Sequence, residues 1–337
     1  MDHWKTMLKA DPTPWLLEEN NPSVRYFTLK DLLDKPEGDQ AVQSARHRIM
    51  QSGMVPDILE RQREPAYQNT YPGFYTRKYE GLVWTLILLA ELGAQANEQI
   101  REQCEYLLTH SQETQEGGFS QHAAAKTGGG RLSEVIPCLT GNMVWSLIRL
   151  GHTHDPRVQK GIGWLNTYMR FNDGVENDPQ APPYDKYEMC WGKHTCHMGV
   201  VKALKALSAM LNEDRSAEVK STIQKAAEFM LIHHVYKRSH NLNRASKPGW
   251  LKFGFPLMYQ TDALEILDIL TGLGIKDSRM EDAIGVVLAK QDNTGRWKTE
   301  NTYNSDRLLI PFGQLNEQSK WITLRAMRVL KRYGEHS

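Results

Sequence analysis

Five strings of this chain end alike. "LLAELG" closes at Gly93, "SLIRLG" at Gly151, "ALKALS" at Ser208, "ILTGLG" at Gly274 and "VLKRYG" at Gly334, at intervals of 58, 57, 66 and 60 residues. Each closes an apolar stretch of helical period, and a glycine just past a helix is a common C-cap. A segment repeated at this period is one supersecondary unit that cannot bury its apolar face alone and must stack on its neighbours. A second helix follows each of the first four strings. "DPRVQKGIGWLNTYM" opens with Asp155 as N-cap and Pro156 at the first helical position. "NEQIREQCEYLLTH" and "DSRMEDAIGVVLAKQ" fill the same slot, and glycine–aromatic turns follow at Phe119, Gly174 and Trp297.

The unit therefore reads as helix, glycine turn, helix, glycine–aromatic loop. "NPSVRYFTLKDLL" with "QAVQSARHRIMQ" makes an earlier pair, and "SKWITLRAMRVLKRYG" a final single helix. The repeats fall at about 22–52, 79–120, 138–175, 195–240, 257–298 and 319–334. No strand-period segment competes. The expected fold is all-α, a single domain over residues 1–337. Its expected form is an α/α toroid, a double ring of about six inner and five to six outer helices around a deep pocket. An open solenoid of the same pairs is the alternative.

Composition excludes several classes. A formal charge of +1 and a pI near 7.7 lack the basic excess of a nucleic-acid protein. No apolar run approaches the roughly 20 residues of a membrane span. "MDHWKTMLKADPTPW" has no signal-peptide core, which makes the cytoplasm the expected location. Four cysteines in 337 residues do not make a disulfide scaffold. In a reducing compartment a local Cys/His cluster points to a metal or reactive site.

Gln291-x3-Gly295-x-Trp297, with a partial copy at Gln115–Phe119, resembles the QW-type repeat of the α/α-toroid superfamily of terpenoid cyclases and protein prenyltransferase β subunits. By period the resemblance covers roughly residues 20–335. It implies the toroid fold and an isoprenoid-like substrate. The Asp-x-Asp-Asp acid motif and the Asp-Asp-x-x-Asp magnesium motif of that superfamily are absent from this sequence, and the Asp-x-Cys element of the prenyltransferase zinc site has no matching form.

Counting back from the helix ends, Glu80, Cys138, Cys196, His197, Thr261 and Asp262 all fall 11 to 13 residues before their closing string. Each thus sits near the first turn of a first-type helix. Helix N-termini lower a thiol's pKa, and zinc accepts sulfur and imidazole nitrogen tetrahedrally. Cys138, Cys196 and His197 form a candidate three-ligand zinc site, with Cys190 or Asp262 as a fourth ligand. Cys196-His197-Met198-Gly199 is also similar to the Cys-His-Gly element of lanthionine synthetase cyclases, which are zinc-binding toroids. A thiolate–imidazole pair and plain packing of small side chains remain the alternatives, Cys138 in the last case letting two helices approach. Cys104 lies on a second-type helix without a role.

Trp84, Trp145 and Trp191 are candidate substrate-binding aromatics, able to face an apolar chain or a cation. Lys237, Arg238 and His240 lie in a basic loop suited to an anionic group. His194, Asp262 and Tyr259 are the candidate catalytic groups. Taken with the resemblance, these imply a zinc-dependent, cyclase- or prenyltransferase-like enzyme, its metal a Lewis acid toward an apolar small molecule with an anionic end. A metal-free lyase or hydrolase of an acidic saccharide and a non-catalytic binding scaffold are the other two readings.

Overall fold

Two of the first-type helices are buried on every side, as a helix within a core is. Leu82–Glu91 buries every residue from Leu82 to Ala90, and Pro137–Arg149 every residue from Pro137 to Ile148. The second-type helices carry one stripe. Glu98–His110 buries only Ile100, Gln103, Cys104, Leu107 and Leu108, a spacing of three and four that faces one side of a helix. The caps follow the sequence: the Asn97 side chain accepts from Ile100 N at 2.9 Å and Asp155 from Arg157 N at 2.8 Å. Gly93, Gly151 and Gly274 have φ of +73°, +90° and +75°, the left-handed turn that ends a helix and suits glycine.

In this computed structural model residues 3–126, 128–174, 181, 183–192, 194–302 and 308–334 are described. Val175, the end of the third expected repeat, lies outside them. The fold is all-α, built of successive helical hairpins of the kind that α/α toroids use. Against the sequence expectation, strands do occur among the described residues. Lys237–Arg238 and Asn241–Ala245 pair antiparallel inside the basic loop, where Asn, Ser and exposed side chains favour a tight ribbon over a helix.

The chain resolves into two compact units. The first comprises Met1–Ile58, Met230–Leu257 and Thr261–Ser337. Within it the earliest repeat packs on the final helix, Lys320–Gly334. Phe27 meets Trp321 edge to face at 6.4 Å, Lys320 Nζ pairs with Glu18 at 2.7 Å, and Trp4, 1% exposed, covers Gly334.

The second unit comprises Leu59–Phe229 and Met258–Gln260. Its first-type helices Leu82–Glu91, Pro137–Arg149 and His197–Ser208 pack in sequence order. The last two approach closely because both carry glycine at the crossing. A Cβ on Gly141 would stand 2.5 Å from the Lys202 carbonyl carbon, and one on Gly199 2.8 Å from the Pro137 Cβ. Gly141, and not Cys138, is thus the small residue that lets these helices meet.

The glycine–aromatic turns have a structural partner. Phe119 N donates to Thr140 Oγ1 at 2.9 Å and Trp297 N to Thr323 Oγ1 at 3.0 Å. Each threonine is the fourth residue of the next first-type helix. In the first turn it is Gln112, not Gln115, whose side chain is engaged, donating to Gly117 O at 2.8 Å and Arg157 O at 2.7 Å.

Candidate functional site

The close crossing of Pro137–Arg149 and His197–Ser208 sets the site. Cys138 is the second residue of the former, and Cys196 is the N-cap of the latter. Cys190 arrives on the short helix Glu188–Trp191. That helix is anchored by Trp191, which lies buried against Trp164 at 5.8 Å and Tyr184 at 5.0 Å. Arg170 donates to Trp191 O at 2.6 Å and to Gly192 O at 3.0 Å.

The three thiols feel one another. Cys190 and Cys196 are hydrogen-bonded, and that bond, with burial and the nearby Cys138, pushes the Cys190 thiol far up. Burial and then Cys196 push Cys138 up to about 12, while Lys202 and Lys78 pull it down. Raised values mean that Cys138 and Cys190 hold their protons at neutral pH. His197 is turned elsewhere, its ring edge-on to Phe229 at 5.0 Å. Among the described residues no group of three His, Cys, Asp or Glu stands where it could hold a metal ion.

An aromatic wall adjoins the thiols. Burial raises the Tyr75 hydroxyl, with Cys138 and Cys190 the next causes. Trp84 Nε1 donates to Tyr75 O at 2.9 Å. Tyr79 stacks on Tyr259 at 6.5 Å, and Trp84 meets both, Tyr79 at 5.3 Å and Tyr259 at 6.0 Å. Asn142 donates to Met258 O at 3.2 Å, which ties the segment bearing Tyr259 to the Cys138 helix. Lys78 Nζ lies 4.4 Å from the Tyr259 ring centre, 5.3 Å from Tyr75 and 5.8 Å from Trp84. Among the described residues no carboxylate pairs with Lys78, so its charge rests on aromatic faces.

His194 is exposed. Trp145 is buried, with Lys205 Nζ 3.9 Å above its ring and Lys205 paired to Glu91. Asp262, in the first unit, caps Ala263–Gly272 by accepting from Glu265 N at 2.7 Å and Gly254 N at 3.0 Å. Burial pushes its carboxyl up to about 6. In the same unit Lys237 pairs with Asp282, and Arg238 and His240 are exposed on the hairpin.

Sequence reasoning passed over three groups. Tyr75, Lys78 and Tyr79 lie in "YPGFYTRKYEG", where the density of aromatics around one lysine was the available signal. His122 Nδ1 stands 2.6 Å from Glu134 Oε2, and Arg131 holds the other carboxylate oxygen at 3.1 Å. Tyr187 lies within electrostatic reach of both Glu134 and Cys190. No local motif announces that pairing, because His122 and Glu134 stand 12 positions apart in sequence.

No protein-family model matches the chain, and no curated protein is similar to it. Solved structures are. Type II terpene cyclase MstE from Scytonema, in complex with geranylgeranyl dihydroxybenzoate, is 14% identical at a TM-score of 0.43, over 94% of this chain and 88% of its own. A family 76 glycoside hydrolase from a bovine Bacteroides thetaiotaomicron strain is 13% identical at a TM-score of 0.45, over 94% of this chain and 68% of its own.

Proposed function

We propose that the chain is an enzyme whose thiol cluster takes zinc and whose aromatic wall receives an apolar, isoprenoid-like small molecule. One observation supports this reading: Cys190 is hydrogen-bonded to Cys196, and Cys138, with Tyr75 and Lys78 beside it, lies within electrostatic reach of the pair. Three sulfurs are soft ligands of the kind zinc takes, and since they do not stand in ligating positions here, binding would have to draw them together and release the protons of Cys138 and Cys190. Cys190 replaces His197 in the ligand set inferred from sequence. Bound zinc would supply Lewis acidity.

The chain's own residues do the rest. Lys78 grips the anionic end of the substrate, a task that passes to it from the basic loop. Tyr75, Tyr79, Trp84 and Tyr259 line the apolar part, their ring faces suited to developing positive charge. His122, oriented by Glu134, offers its Nε2 for proton transfer.

Metal analysis of the purified full chain is the test. About one zinc per chain is expected, lost in Cys196→Ser and Cys190→Ser and kept in Cys104→Ser. Zinc affinity rises with pH, because each ligand sheds a proton on binding. A wild-type chain that takes up no zinc from zinc chloride at neutral pH would overturn the reading.

The His122–Glu134 pair near Tyr187 favours a second reading, a metal-free lyase acting on an acidic saccharide. His122 would then take a proton, Tyr187 would return one, and Arg131 would face the sugar acid. That reading gains if zinc is absent and His122→Ala abolishes release of an unsaturated product from polyuronate.

A further inference from the structure

An open cleft lies in the Leu59–Phe229 unit, between Pro65–Gly73 and the Glu98–His110 helix. Its volume is about 460 Å³, within the usual range for a small-molecule site. Five carboxamides line it: Gln62, Gln68, Asn97, Gln99 and Gln103. A carboxamide both donates and accepts, which matches the paired donor and acceptor of neighbouring hydroxyls.

The wall beneath is a buried hydrogen-bond ladder. Tyr67 Oη meets Thr85 Oγ1 at 2.7 Å, Gln62 Nε2 donates to Tyr67 at 3.2 Å, and Gln103 Nε2 donates to Gln62 Oε1 at 2.9 Å. Gln103 is 2% exposed, yet no donor in the described protein reaches its Oε1. A buried acceptor left open costs free energy, so the ladder ends on an unmet need at a ligand-sized cavity. Swapping the amide's oxygen and nitrogen leaves one end open just the same.

The rim completes a recognition surface. Tyr71 offers a ring, held edge-on by Tyr67 at 6.0 Å and Tyr106 at 4.8 Å. Arg63 is fixed by Gln99 at 3.0 Å, and Gln99 is itself fixed by Leu59 O at 2.8 Å. Glu98 and Glu102, one helical turn apart, add acceptors. An anion would face both carboxylates, and a simple ammonium would use none of the donors that the carboxamides and Arg63 bring to the rim.

We propose that this cavity binds a neutral saccharide of one or two residues, its hydroxyls on the carboxamides and one sugar face on Tyr71. The proposal is independent of the thiol site, which shares no residue with it.

Saturation-transfer NMR and calorimetry on the full chain test it, with maltose, cellobiose, lactose and mannobiose as probes and spermidine alongside. At least one disaccharide binds with a Kd of about 1 mM or tighter. Gln68→Ala, at an exposed position that leaves the fold intact, and Tyr71→Leu each weaken that binding about tenfold. Failure of all four sugars, binding that survives both substitutions, or binding of spermidine alone would each overturn it.

Discussion

Asp262 shows how little a residue's place in a repeat says about its task. It is wholly buried and spends both oxygens on backbone N–H groups. Burial raises its carboxyl from an ordinary value of 3.8 to about 6. A group raised on folding contributes stability that is fully present below its unfolded pKa and lost as pH rises through its folded one. Asp262→Asn keeps an N-capping acceptor but cannot ionise. Wild type should therefore lose stability relative to this variant between about pH 4 and pH 6, by up to about 3 kcal/mol. Urea midpoints of the two proteins across that window check the difference. The counting that picked out Asp262 also picked out Cys138 and Cys196, which lie within electrostatic reach of each other. Spacing reports depth along a helix and is silent on which way a side chain turns, so His197 could share that depth and still face Phe229.

At the scale of elements, the helices were legible because their signals are local. Apolar period, Asn97 and Asp155 caps and glycine ends all sit within a few residues of what they determine. What escaped was whatever joins distant positions. Thr140 and Thr323 look like ordinary helix residues in sequence, yet each receives the turn of the preceding hairpin. Thr140→Val and Thr323→Val should each cost about 1–3 kcal/mol, since a buried N–H loses its acceptor. Chemical denaturation measures both. The Gly141 crossing was equally hidden. Gly141→Leu forces Pro137–Arg149 off the Lys202 backbone. The expected cost is about 3 kcal/mol, together with any zinc that the thiols hold. Gly163→Ala, whose Cβ would meet nothing within 4 Å, serves as the control and should retain both stability and metal.

For the whole molecule, the sequence told what the hairpins are but not how the contacts divide. One unit is almost continuous, residues 59–229 with 258–260, and the other is assembled from three stretches that include both ends of the chain. Closing contacts between residues far apart in sequence carries the larger loop entropy. Amides of Leu82–Glu91 and Pro137–Arg149 should therefore gain hydrogen-exchange protection before those of Lys320–Gly334, as pulse labelling during refolding would read out. Equal protection times would contradict it.

The packing of Trp4 and Phe27 on the last helix also bears on inheritance. A stop codon just ahead of Lys320 leaves Trp4 and Phe27 in the polypeptide yet uncovers both. Lesions in these two distant stretches of the gene should thus give the same defect, and a ribosome must pass Gly334 before Trp4 and Phe27 find their neighbours.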